Sequence, residues 1–323
     1  MTIKGLLKTF IVKTLSTLLP SRLMKSKQFF HLWEAKGYHI TPVHFYEPIP
    51  DTRDFASDIF TKESTLPGLE LNEQAQISLL HEFSSNYRGE YGEFGYGQAK
   101  RKNEFFFENG AFETVDAEIL YCMIRYFKPR HIIEIGSGFS TLVTATAIRQ
   151  NTTTDPEYQC ELTCIEPYPK EWIFKIPEVS RVFQSKVENV PLETFSELSN
   201  NDILFIDSSH NINVYNDVCF EYLEVLPMLN VGVLVHIHDI VLPQRYCKYW
   251  FDLKVFWNEQ YLLQAFMAFN TSFQILWAGN FMHLRYSNEL ALAFPSYPRF
   301  KNSTDIKKQK QGHKSFWIQR LRQ

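Results

Sequence analysis

At 323 residues and 38.1 kDa the chain can bury a full core and fits one large domain or one and a half ordinary ones. Its composition, 45% hydrophobic and 21% charged with 13 glycines and 15 prolines, excludes collagen-like, low-complexity and largely disordered chains. The formal charge of -3 hides an asymmetry that excludes a general nucleic-acid binder, which needs a basic surface: between residues 34 and 300, 20 bases stand against 35 acids.

The two ends carry the balance. Residues 1–33 hold six Lys or Arg and no acid, and residues 301–323 hold seven bases and one acid, Asp305. Five cysteines (Cys122, Cys160, Cys164, Cys219, Cys247) are odd in number and form no CxxC pair. That argues against a disulfide framework or a thiolate zinc site and points to a reducing, cytoplasmic setting.

In chain order, residues 1–27 read as a basic amphipathic helix. The apolar stretch Leu6 to Leu19 is broken by Lys8 and Lys13 and closed by Pro20, too short and too charged to span a bilayer. The same lysines spoil a signal peptide. Ile3, Leu6, Leu7, Phe10, Ile11, Leu15 and Leu18 recur at helical spacing. Such a stripe packs on the body or on a second copy in a homo-oligomer; peripheral contact with anionic lipid at the inner membrane face is the alternative.

Residues 28–111 form an accessory or lid region rich in aromatics and punctuated by prolines, with one helix around Glu73 to Tyr87. His44 to Asp51 cannot be a helix interior, because Pro48 and Pro50 remove donors and force their predecessors extended. With the aromatic stretch Gly89 to Asn109 it is expected to close over an acceptor, although such rings also serve ordinary packing.

Residues 112–323 alternate helices with short apolar runs. A helix at Asp116 to Phe127 precedes a strand at His131 to Ile135, and a helix near Thr141 to Arg149 precedes Glu161 to Ile165. A third strand ends at Val182 and Phe183. Asp202 to Ile206, a helix from Val214 to Leu226, Val233 to Ile237, a long helix from Tyr249 to Asn270 and a strand at Phe273 to Trp277 follow. Ser315 to Leu321 adds an edge or antiparallel strand. This alternation predicts a doubly wound, mainly parallel Rossmann-like α/β sheet with an antiparallel C-terminal strand, preceded by the helical and loop accessory region.

The strongest signal is Ile132 to Thr141, a strand that breaks at Gly136 and Gly138 and turns into a helix, where doubly wound sheets bind nucleotides. The next strand ends in Glu166, which can accept hydrogen bonds from both ribose hydroxyls. Thr141 stands where a dinucleotide fingerprint has its third glycine, and no Lys-Ser/Thr follows as in a Walker loop. Glu134, just before the glycines, suits a ligand with an ammonium group, which S-adenosylmethionine (SAM) has.

Glu134-Ile-Gly-Ser-Gly138, Glu166-Pro, Asp202 to His210 and Val231 to Asp239 together resemble the successive motifs of class I SAM-dependent methyltransferases. His44 to Asp51, Trp257 to Tyr261 and Ser315 to Ile318 resemble a bacterial subgroup of unknown substrate. The resemblance implies that Glu134, Gly136, Ser137 and Gly138 hold the methionine part of SAM, with Glu166 on the ribose, Glu188 or Asn189 near adenine, and Asp207 at the sulfonium end. Ser140 departs from the many members that carry a glycine there.

Catalysis falls on Asp207, His210 and Asp239: His210 is read as general base, with Asp207 and Asp239 orienting substrate or metal. Asp207, His238 and Asp239 form a candidate site for magnesium or manganese. His236, inside a strand, reads as a core histidine. The expected function is O-methylation of a hydroxylated small molecule or saccharide precursor, with no nucleic-acid partner. The alternatives are an NAD(P)-dependent oxidoreductase on the same architecture, or a non-catalytic nucleotide-binding module tethered by its basic ends.

Overall fold

The computed structural model describes residues 3–18, 29–56, 58–302 and 313–322; Arg22, Lys25, Lys27 and the polar stretch 303–312 lie outside them. Contacts divide the chain into two compact units, 1–59 and 60–323, so the accessory region expected over 28–111 is shared between both. In the first unit the helix Ile3–Leu18 is followed by a short helix, Phe30–Glu34. His44 to Asp51 forms no helix or strand.

The second unit is built on a seven-stranded sheet among the described residues. Its strands are β1 (His131–Ile135), β2 (Glu161–Ile165), β3 (Val179–Phe183), β4 (Ile203–Ile206), β5 (Leu234–Ile237), β6 (Phe273–Ala278) and β7 (Phe316–Arg320). They lie in the order β3-β2-β1-β4-β5-β7-β6, parallel from β3 through β5, with β7 antiparallel to both its neighbours. The doubly wound, mainly parallel architecture is thus present. The last strand is interior, however, and not at an edge: Phe316, Trp317 and Ile318 are all buried, as a strand covered on both faces requires. The strand order reverses between β1 and β4, which opens a crevice at their carboxyl ends.

The helix Asp116–Phe127 packs against Phe139–Thr154 beside the sheet. Glu73–Tyr91 runs one turn beyond its expected end and buries Leu80 and Phe83. In the aromatic stretch after it, Phe94, Phe105 and Phe107 are buried, with Phe94 edge-on to Phe105 at 5.2 Å and to Tyr121 at 5.5 Å. Those rings serve the core. The long helix expected over 249–270 is instead two, Lys248–Asp252 and Glu259–Met267. Three short helices after β6, Gly279–Arg285, Ser287–Ala293 and Tyr297–Lys301, were hidden by their length and by Pro295 and Pro298.

Candidate active site

The turn after β1 is held from both sides. The Gly136 N–H donates to the Ile165 carbonyl at 3.0 Å, and the Asp207 N–H donates to the Ile135 carbonyl at 2.9 Å. Gly136 has φ +82°, and a Cβ there would collide with the Asp207 carbonyl oxygen. This glycine is demanded by the close approach of β1 and β4 as well as by its left-handed backbone. Gly138 is different: a Cβ on it would meet nothing within 4 Å, so open space lies beside it.

Ser140 and Thr141, the departures from a glycine-rich turn, both serve Glu134. Their hydroxyls donate to Glu134 Oε1 at 2.5 Å and 3.1 Å, and Thr141 Oγ1 also accepts the Gly138 N–H at 3.0 Å. Glu134 is fully buried. Burial pushes its carboxyl up to about 8 against the two hydroxyl hydrogen bonds. Its second oxygen and the Ser137 hydroxyl are buried without a partner among the described residues. A buried carboxylate oxygen with no donor fits an incoming ammonium group.

A cleft of about 400 Å³ opens at the switch point, lined by Gly136, Glu166, Glu188 and Asp207 among others. Glu166 Oε1 accepts the Tyr168 N–H at 2.9 Å. Four of the expected cofactor residues therefore face one space, while Glu134, Ser137 and Gly138 belong to the turn beside it and do not line it.

A second constellation meets the cleft at Asp207. His210, buried and at φ +58°, places Nε2 3.2 Å from Asp207 Oδ1 and 3.4 Å from Asp239 Oδ2. Its Nδ1 lies 2.8 Å from Glu259 Oε2, and the Tyr222 hydroxyl donates to Glu259 Oε1 at 3.1 Å. Asp239 also receives the buried Lys314 ammonium at 2.7 Å, and that ammonium sits 4.9 Å over the Trp250 ring. Lys314 is aimed by its own backbone: its N–H and that of Ser315 donate to Asp116, and its carbonyl accepts the Ile240 N–H.

The break in the expected long helix has its cause here. The His210 carbonyl accepts the N–H groups of Asn258 and Glu259 at 3.0 Å and 3.2 Å, and Asn258 Oδ1 accepts the Ile212 N–H. The loop after β4 thus sets where the second helix begins and seats Glu259 against the imidazole.

These surroundings decide the charge of His210. Burial alone would depress its pKa, but hydrogen bonds to Asp207 and Glu259 and the Asp239 charge hold it well above the ordinary imidazole value. Asp239 is held well below the carboxylate range, because the Lys314 charge and neighbouring imidazoles outweigh its burial.

Asp207, His210 and Asp239 offer ligand atoms within 4.8 Å of one another. His210 takes the place expected for His238, whose ring packs 5.1 Å from Phe112 and 5.5 Å from His236. His236 is buried, stacks on Phe205 at 4.2 Å and is held neutral by burial. Glu259 and Lys314 escaped the motif reading. Glu259 lies in the quoted Trp257 to Tyr261 segment, whereas no local signal marks Lys314.

Residues 133–240 match a family described as "Methyltransferase domain", a span that holds the glycine turn, Glu166, Asp207, His210 and Asp239. Over those residues the chain matches a methyltransferase domain. The match favours the methyltransferase reading over the nicotinamide one. The chain is also similar to an uncharacterized protein of Archaeoglobus fulgidus, 29% identical over 179 residues, 52% of this chain and 77% of the relative. Among solved structures, the TDP-rhamnose 3'-O-methyltransferase CalS11 aligns at 12% identity over 60% of this chain and 83% of its own, with a TM-score of 0.32. CmcI aligns at 13% over 94% and 100%, with a TM-score of 0.35. The plantazolicin methyltransferase BpumL, solved with a desmethyl substrate analogue and S-adenosylhomocysteine (SAH), aligns at 10% over 77% and 98%, also at 0.35. Likeness at this level says nothing of what this methyltransferase acts on.

Proposed function

We propose that this methyltransferase modifies a hydroxyl of a small molecule or saccharide precursor at the Asp207–His210–Asp239 cluster, with a divalent cation held there. The observation that carries the reading is the position of Asp207, which both lines the cleft and contacts His210, so that cofactor site and cluster meet at one side chain. Glu134 and the open space at Gly138 fit the methionine end of SAM, and Glu166 fits its ribose. Bound there, SAM supplies an electrophilic methyl group.

The donor set of two carboxylates and one imidazole suits magnesium or manganese. Asp207, His210 and Asp239 would hold such a cation, which would lower the pKa of an acceptor hydroxyl. The rest of the work belongs to the chain. Glu259 accepts from Nδ1 and leaves Nε2 turned to Asp207 and Asp239. Lys314 occupies one Asp239 oxygen and leaves the other turned to His210. Asp207, the least buried of the three, is placed to accept a hydrogen bond from the acceptor hydroxyl and align it with the cleft.

Calorimetry with SAH, followed by turnover of SAM over a panel of hydroxylated acceptors before and after chelation, tests this reading. SAH should bind with or without metal, and turnover should vanish on chelation and return with magnesium or manganese. Methylation of amines but not hydroxyls, or turnover indifferent to both chelator and Asp239→Asn, would remove the proposal while leaving the methyltransferase domain in place.

A further inference from the structure

In the first unit the helix Ile3–Leu18 turns Leu6, Leu7, Phe10, Ile11, Leu15 and Leu18 to solvent, each 46–69% exposed. At helical spacing these six side chains share one broad face, which Thr14 and Thr17 also enter and on which the spacing sets Lys4 between Ile11 and Leu15, with Lys8 beside Leu15 at one border and Lys13 beside Leu6 at the other. Thr9 and Ser16 lie opposite, and their hydroxyls bond to carbonyls of their own helix at 2.9 Å and 2.8 Å. Val12, also exposed, interrupts that opposite side. Sixteen residues rise only about 24 Å, short of a hydrocarbon core of about 30 Å. No described helix is long and apolar enough to cross a membrane.

We infer that this helix lies flat on an anionic phospholipid surface, its Leu and Phe side chains among the acyl-chain boundary and Lys8 and Lys13 among the phosphates. Charge selects this occupant. Residues 1–33 contain six bases and no acid, so the face is rimmed by one sign. A second copy of the helix packed on the same face would bring lysine borders against lysine borders, whereas anionic headgroups neutralise both while the acyl boundary takes the apolar side chains. The acidic stretch of residues 34 to 300 is repelled by the same surface, which leaves contact to the basic ends, and of these residues 1–33 carry the apolar helix face. The inference is independent of the methyl acceptor: it would place the enzyme's substrate supply at a membrane without altering the chemistry of the site.

Co-sedimentation of the full chain with vesicles of phosphatidylcholine alone, and of phosphatidylcholine with phosphatidylglycerol, tests it. Binding to the anionic vesicles should be at least about tenfold tighter and should weaken steeply with added salt. The double variant Leu7→Glu/Phe10→Glu should lose vesicle binding, and Lys8→Gln/Lys13→Gln should lose most of the preference for phosphatidylglycerol. Both should bind SAH as the parent does, which separates failure of this inference from failure of the cofactor site. Absence of the parent chain from anionic vesicles at low salt would overturn it. So would sedimentation showing concentration-dependent self-association that Leu7→Glu/Phe10→Glu abolishes, since the face would then be covered by a second copy.

Discussion

Glu259 Oε2 stands 2.8 Å from His210 Nδ1, with Glu259 fully buried and His210 nearly so. The contact ties the loop after β4 to a helix that begins 49 residues later, and it leaves His210 a single nitrogen with which to address Asp207 and Asp239. Glu259 also receives the Tyr222 hydroxyl, and its full burial keeps its carboxylate from contact with an acceptor in the cleft.

Glu259→Gln, which keeps the shape and removes the charge, should lower turnover by about 10- to 100-fold and leave SAH affinity unchanged. Glu259→Ala strands both the imidazole and the Tyr222 hydroxyl and should cost about 2–4 kcal/mol in denaturant unfolding. Equal loss of SAH binding in both variants would show that Glu259 supports the cofactor cleft instead.

The two glycines of the turn should part company. Gly136→Ala sets a Cβ against the Asp207 carbonyl at a left-handed backbone position and should destabilise the fold by about 1–3 kcal/mol. Gly138→Ala projects into open space and should unfold like the parent while binding SAH more weakly. Chemical denaturation beside SAH calorimetry reads both effects.

Glu134 makes the apo protein pH-sensitive. Its carboxyl, raised to about 8 when folded against an ordinary 4.5, keeps a proton that the unfolded chain has already lost in that interval. Stability therefore declines as pH rises from the unfolded value through the folded one. Glu134→Gln removes the effect: it should match the parent at acid pH and exceed its unfolding free energy by about 2–4 kcal/mol at about pH 9. The same variant should bind SAH at least about tenfold more weakly, because the ammonium group loses its carboxylate. A parent stability that climbs with pH over that interval would contradict this picture of Glu134.

Lys314→Met should leave Asp239 as a buried carboxylate short of its nearest cation, at a cost of about 3–5 kcal/mol. Lys314→Arg restores the charge and should recover most of the stability. Manganese titration followed by electron spin resonance separates positioning from mere support: the Met variant should change manganese affinity, and the Arg variant should return it toward the parent.

The backbone around the cleft was legible in the chain because its signals are local. Short apolar runs, glycines at a strand end and an acid closing the following strand all act within a few residues, and those elements lie where the spacing put them. Gly136 was marked for the right place, but its tightest constraint proved to be the Asp207 carbonyl, a contact across 71 residues that no local pattern records. Ser140 and Thr141, which looked like departures from a motif, turned out to be the hydrogen-bond donors of Glu134.

What the linear order of residues determined by itself was the alternating α/β class, the glycine turn after β1 and the charge division between acidic body and basic ends, since each depends on neighbours in the chain. Only the tertiary structure decided that His210 and not His238 joins the two aspartates, that Glu259 and Lys314 complete their surroundings, and that the last strand enters the sheet interior. Hydrogen-bond partners and charges separated by 49 to 75 residues meet only when burial of the apolar strands brings their ends together, and burial is a property of the whole fold.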